Sequence, residues 1–196
     1  MKIVTDKELN LKQPHAITIG KFDGMHAGHM ALIKKTVEYA KHLGIPSLAF
    51  TFYPNPVSVL SGKSFEPLIC ECEKIEILSE MGIDILINYP FDTAFAGISP
   101  EAFIKLIFMG LKCRVLVVGE SFRFGKDRRG DDSMLEEAGK IYGVIVDIVK
   151  SIQIDGGPVS SSRIRNAVAD RDYALAERLL GRSLKETSRN RPKGGF

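Results

Sequence analysis

Short runs of aliphatic and β-branched residues alternate along this chain with longer stretches whose apolar residues fall at helical spacing. That alternation restricts its fold more than any other feature. His15–Ile19, Leu48–Phe52, Ile83–Ile87, Arg114–Val118 and Val144–Val149 read as five strands. Between them Gly28–Leu43, Glu71–Met81, Pro100–Leu111 and Ser133–Tyr142 read as helices. Three of these run into a stopping glycine: Gly44 (with Pro46 beyond), Gly82 and Gly143. Pro100 suits a first helical turn. Two helical pieces follow, Ser161–Asp170 and Tyr173–Leu180, the second closed by Gly181. The strands are nearly unbroken Val, Ile and Leu, as strands covered on both faces are. The order predicts an α/β fold around a parallel, doubly wound, five-stranded sheet. Ligands of such sheets sit at the carboxyl ends of the strands. A site is therefore expected in the loops after the first and fourth strands and at the start of the late helix.

A chain of 196 residues corresponds to about 1.3 domains, one domain with an appendage. Its 27 basic and 24 acidic residues leave a formal +3, too even for a dedicated nucleic-acid binder. No run approaches the roughly 18 apolar residues of a membrane span, and MKIVTDKELNLK lacks the apolar stretch of a secretory signal. A cytoplasmic chain with neither nucleic-acid nor membrane partners is expected. Cys70 and Cys72 form C-E-C, and Cys113 lies far away. An odd count and so close a spacing read as free, reduced thiols rather than a zinc site. Arg182–Phe196 carries five basic residues and one acidic residue, which reads as a frayed tail, 182–196, after a domain of residues 1–181.

Three loops carry chemistry. Between the first strand and first helix stands G-K-F-D-G-M-H-A-G-H, Gly20 to His29. Gly20, Gly24 and Gly28 let a ligand approach the backbone, and the helix N-terminus behind them favours an anion. His26 and His29, three residues apart, can share one side of the helix mouth and meet charge building on a phosphoryl group. The segment is neither a P-loop nor a dinucleotide fingerprint. Late in the chain, P-V-S-S-S-R-I-R offers Ser161 or Ser162 as an N-cap and Arg163 as a fork for phosphate oxygens. After the fourth strand, G-E-S-F-R-F-G places Arg123 between Phe122 and Phe124. Aromatic faces and a cation suit a planar ring bearing a phosphate.

The G-x-F-D-G-x-H-x-G-H junction resembles the nucleotidylyltransferase superfamily, with its H-x-G-H signature. The F-R-F-G loop, the T-F-Y-P-N-P stretch (Thr51–Pro56) and E-K-I-E-I-L-S-E-M-G-I-D (Glu73–Asp84) resemble the prokaryotic-type FAD synthetases, the FMN adenylyltransferase module of the bifunctional riboflavin kinase/FAD synthetase family. The resemblance runs from Ile17 to about Arg182. It implies a Rossmann-like, three-layer α/β/α fold and the reaction ATP + FMN → FAD + pyrophosphate, with Mg²⁺ held mainly by substrate phosphates. It implies catalytic roles for His26, His29 and Arg163. ATP would be bound by Gly20, Phe22, Asp23, Gly24, Gly28, Val118, Gly119, Ser161, Ser162 and Ile164, and FMN by Asn55, Ser121, Phe122, Arg123 and Phe124. Asp23 would shape the loop or orient a substrate.

Two departures matter. Ser121 stands where the family often has Asp or Asn. Most members also continue from L-L-G-R into a riboflavin kinase barrel, whereas here 14 residues follow Arg182. The expectation is thus an FMN adenylyltransferase without riboflavin kinase activity, of unassigned oligomeric state. The competing readings are a nucleotidylyltransferase acting on pantetheine phosphate, glycerol phosphate or nicotinamide mononucleotide, and a non-catalytic flavin or nucleotide carrier.

Overall fold

The computed structural model describes residues 1–7, 9, 11–62 and 65–184. In chain order the elements are β1 (Lys2–Val4), β2 (His15–Ile19), α1 (Ala27–Leu43), β3 (Ser47–Tyr53), α2 (Pro56–Ser61), α3 (Glu71–Glu80), β4 (Ile85–Pro90), α4 (Thr93–Ala96) and α5 (Pro100–Lys105). Then come β5 (Cys113–Gly119), α6 (Asp132–Tyr142), β6 (Ile145–Val149), the strand pair β7 (Gln153–Ile154) and β8 (Gly157–Pro158), α7 (Ser161–Ala169) and α8 (Tyr173–Leu180).

The main sheet is parallel in every pairing and runs β1-β4-β3-β2-β5-β6. Alternation along β2 explains its two covered faces. Ile17 and Ile19 join Phe103, Ile107 and Leu135 on one side. Ala16 joins Leu32 and Ala40 of α1 on the other. Ile33 and Val37 of α1 also meet Leu78 of α3 through Ala49 and Leu86. Each large side chain fully buried this way contributes about 1.5–3 kcal/mol. The result is the expected Rossmann-like, doubly wound α/β/α arrangement. Because β2 has β3 on one side and β5 on the other, the winding reverses there, and the crevice opens where β2 and β5 end.

Four expectations need correction. The sheet has six strands rather than five: Lys2–Val4 adds an edge strand beside β4. Three residues, two of them exposed, carry no readable period. The helix read as Pro100–Leu111 is α-helical only to Lys105 and continues as a π turn over Leu106–Gly110. Cys70 and Cys72 are joined in a disulfide, whereas Cys113 is free and buried. Extended backbone at Cys70, just before α3 begins, leaves the two Cα atoms 5.4 Å apart, inside the bridging range despite the short spacing. The cap of α7 is Ser160, whose Oγ accepts from the Arg163 N–H, and neither Ser161 nor Ser162. Residues 185–196 of the expected tail lie outside the described residues. No helix among the described residues is long and apolar enough to cross a membrane.

Candidate functional site

The loop from Gly20 to His26 leaves β2 at the reversal point in a contorted path. Phe22 (φ 50°), Gly24 (φ 84°) and Met25 (φ 44°) all adopt left-handed backbone. Non-glycine residues there cost on the order of 1–3 kcal/mol each. Complete burial of the Phe22 and Met25 side chains offsets that cost and anchors the loop beneath. A Cβ on Gly24 would stand 2.8 Å from Leu68 Cδ1, and one on Gly28 would stand 3.2 Å from the His26 ring. Gly20 abuts the Phe22 ring.

This path delivers His26 to the N-cap of α1, where its Nδ1 accepts from the His29 N–H at 3.3 Å. Accepting at Nδ1 assigns the proton of the neutral ring to Nε2, which leaves that nitrogen a donor. The two imidazoles stack, centroids 3.7 Å apart and planes 15° from parallel, and Phe22 meets His29 edge-on at 5.4 Å. Burial pushes His26 down to about 4, partly opposed by the charge of Asp23. Burial also holds His29 well below its ordinary value, reinforced by His26, Lys21 and Lys74. Both rings are therefore neutral donors at pH 7. His29 Nδ1 is buried without a hydrogen-bond partner among the described residues. A buried polar atom left unpaired costs stability, and a catalytic role is one reason for a fold to keep it.

Segments distant in sequence grip the loop. The buried Asp23 carboxylate accepts from the Leu68 N–H at 2.8 Å and pairs with Arg165. Arg165 in turn lies 4.8 Å over the Phe65 ring and donates to the Glu66 carbonyl. Ser161 Oγ donates to the Asp23 carbonyl at 2.8 Å, and Arg182 donates to the Gly24 carbonyl at 2.9 Å. The start of α7 is thereby brought onto the histidine loop. Ser162 is exposed, whereas Ile164 is fully buried as an anchor of the helix. Arg163 points elsewhere: its Nη1 donates to the carbonyls of Ile154 and Gly157 and its Nη2 to that of Asp155. Its guanidinium clamps the β7–β8 pair, leaving Nε–H and one Nη2 proton uncommitted to these bonds.

At the end of β5, Val118 is buried and Gly119 is partly exposed. Beyond them Ser121 is exposed and Phe122 half-buried, whereas Phe124 is buried, stacked between Phe122 at 5.7 Å and Phe103 at 5.0 Å. Phe124 thus serves the core and supports Phe122 rather than offering an open face. Arg123 donates to the Phe122 carbonyl and lies 3.8 Å from Asp132. Asn55 caps α2 through its side chain.

Next to the first loop is a cavity of about 340 Å³ lined by Lys21, Asp23, Asn55, Phe65, Glu71 and Lys74 among others. Neither histidine lines it. Of the expected site residues it contains Asp23 and Asn55. The sequence assigns no site role to Lys21, Lys74 or Arg182, and shows Arg165 only as the end of the P-V-S-S-S-R-I-R segment. Lys74 falls within E-K-I-E, but nothing in that segment's periodicity shows the lysine turning inward. Among the described residues, no three His, Cys, Asp or Glu side chains cluster to hold a metal.

Comparison with known proteins identifies the family. The family model described as FAD synthetase matches residues 8–163. A bifunctional riboflavin kinase/FMN adenylyltransferase from Pseudomonas fluorescens is 35% identical over 92% of this chain and 59% of its own length. The protein of that description from Escherichia coli strain K12 is 36% identical over 84% of this chain and 53% of its own length. The chain thus spans between half and three-fifths of these relatives. A solved structure described as a macrolide-efflux protein from Streptococcus pneumoniae superimposes with a TM-score of 0.81. It is 25% identical, with 94% of this chain and 72% of that one covered.

Proposed function

Because the chain belongs to the FAD synthetase family, we propose that it transfers AMP from ATP to the phosphate of FMN, giving FAD and pyrophosphate. The observation that carries this reading is the stacked, neutral histidine pair at the N-terminus of α1, where the winding of the sheet reverses. An FMN phosphate oxygen attacks the α-phosphorus in line, the bond to the bridging oxygen breaks, and pyrophosphate leaves. The nucleophile is already an anion, so no strong base is needed, and catalysis is positioning with charge stabilisation. His26 Nε2–H, His29 and the first amides of α1 donate to the α-phosphate as its charge grows. Ser162 and the opening turn of α7, with Ser161 joining that turn to Asp23, face the departing pyrophosphate. Arg163 shapes the β7–β8 wall and adds its remaining N–H groups. Gly20, Phe22, Asp23, Gly24 and Gly28 give the phosphate loop its form. The adenine lies against backbone at Val118–Gly119, and Ile164 anchors α7 from below. Ser121, Phe122 and Arg123, supported by Phe124, and Asn55 contact the flavin. Mg²⁺ enters as the magnesium complex of ATP, a substrate, held mainly by its phosphates.

The direct test is chromatographic detection of FAD from FMN, ATP and Mg²⁺, with riboflavin in place of FMN as control. FAD with stoichiometric pyrophosphate is expected from FMN, and neither FMN nor FAD from riboflavin. Pyrophosphate release with pantetheine phosphate, glycerol phosphate or nicotinamide mononucleotide but not FMN would move the assignment to another acceptor. Flavin binding without any pyrophosphate would make the protein a carrier.

A further inference from the structure

The cavity beside the histidine loop is lined by a buried cation, Lys74. Lys74 ends the first turn of α3 and is only 8% exposed. Lysines are almost never buried this deeply without a counter-charge. Its Nζ finds one carboxylate, donating to both oxygens of Glu71 one turn earlier, the second at 3.1 Å. Both residues line the cavity, together with Lys21 and the Tyr53 and Phe65 rings. Among the described lining residues the other carboxylate, Asp23, is engaged by Arg165 and the Leu68 N–H. The charges of Lys74 and Lys21 are both felt at His29, so the cations and the histidine pair serve one region. An ammonium held by a single partly exposed carboxylate, in a cavity that a second lysine also lines, is poised to exchange that partner for a stronger anion. A phosphate monoester dianion is such an anion, and aromatic walls suit the planar body attached to it.

From this juxtaposition we propose that Lys74, assisted by Lys21, seats the phosphate of the incoming acceptor, and that Glu71 is the partner Lys74 gives up when the acceptor enters. This rests on the adenylyl-transfer reading and adds how the acceptor is chosen: the pocket reads the phosphate, so a flavin without one is not held. Lys74 is then a specificity-determining residue, and its action is separable from that of the histidines.

The test compares FMN with riboflavin, by flavin fluorescence titration and by steady-state kinetics, in the wild-type protein and in Lys74→Met, Lys74→Arg and Glu71→Gln. Removing one charge-assisted contact predicts a roughly 10- to 100-fold loss of FMN affinity in Lys74→Met. The KM for FMN should rise in step, with riboflavin affinity and the KM for ATP unchanged. Lys74→Arg should restore most of the difference, and Glu71→Gln should bind FMN as well as or better than wild type. Equal loss of FMN and riboflavin binding would mean that Lys74 only packs the pocket, and the proposal falls. A rise in the KM for ATP alone would give Lys74 to the nucleotide, with the same result. Should Lys74→Met not fold, wild type and Lys74→Arg still decide: a wild type that holds riboflavin as tightly as FMN overturns the proposal. Wild type that makes no FAD yet prefers FMN through Lys74 would defeat the transferase reading and leave this one standing. FAD synthesis unchanged in Lys74→Met would do the reverse.

Discussion

A methyl group on Gly24 would enter space held by Leu68 while the backbone stays at φ 84°. Gly24→Ala is therefore expected to cost on the order of 1–3 kcal/mol and to displace His26 two residues on. Thermal melting should show the loss, together with a fall in turnover. His29→Ala probes the same loop from the chemical side. Loss of one donor to the transition state lowers rate by about 10²–10³-fold, so turnover should fall far more than the affinity for ATP. A variant with full turnover would remove the ring from the mechanism. At this scale the sequence is informative where residues are contiguous. Gly24, His26 and His29 lie within one short segment, and their spacing around a helix start already points to an anion. Lys74, Arg165 and Arg182 are not legible in that way. Arg165 and Arg182 reach the loop by folding across many residues, Lys74 comes to the cavity beside it in the same way, and a lysine within a charged helix reads as solvated until its direction is known.

The start of α7 combines a cap, a strut and a clamp within four residues. Ser160 caps the helix, Ser161 ties it to the first loop, and Arg163 holds the carbonyls of the β7–β8 pair. Ser160→Ala is expected to lower stability by about 1 kcal/mol, with the KM for ATP little affected. Arg163→Ala should both loosen amide protection across β7–β8 and raise the KM for ATP. Normal ATP dependence with lost protection would confine the arginine to the clamp. The run of serines shows that a cap lies there, but three adjacent hydroxyls do not say which one begins the helix. At α3 the cysteine spacing misled for a related reason: bridging depends on the turn taken just before the helix, which sequence alone leaves open. Thiol titration checks that bond. Unfolded, unreduced protein should react through Cys113 alone, and all three cysteines should react after reduction.

Over the whole molecule, burial keeps His15, His26 and His29 below their ordinary 6.5. The unfolded chain takes up those protons first as pH falls. Their contribution to stability is therefore whole above about 6.5, declines below it, and for His26 is lost once pH passes its folded value of about 4. For His26 that amounts to on the order of 3 kcal/mol. Urea midpoints should hold steady from about pH 8 to 7 and then drop toward about pH 4.5. His26→Gln should make that drop shallower, and a midpoint insensitive to acid would show these rings do not drive it. The alternating pattern made the sheet legible in advance, since long apolar strands and glycine-stopped helices leave few other ways to bury their faces. The edge strand escaped because its pairing is set by a partner far along the chain. That partnership imposes an order of events. Among the described residues Lys2–Val4 aligns with Ile85–Ile87 alone, so during synthesis that pairing must wait until the ribosome has released the distant segment. The earliest strand of the sheet is thus a late arrival in its assembly.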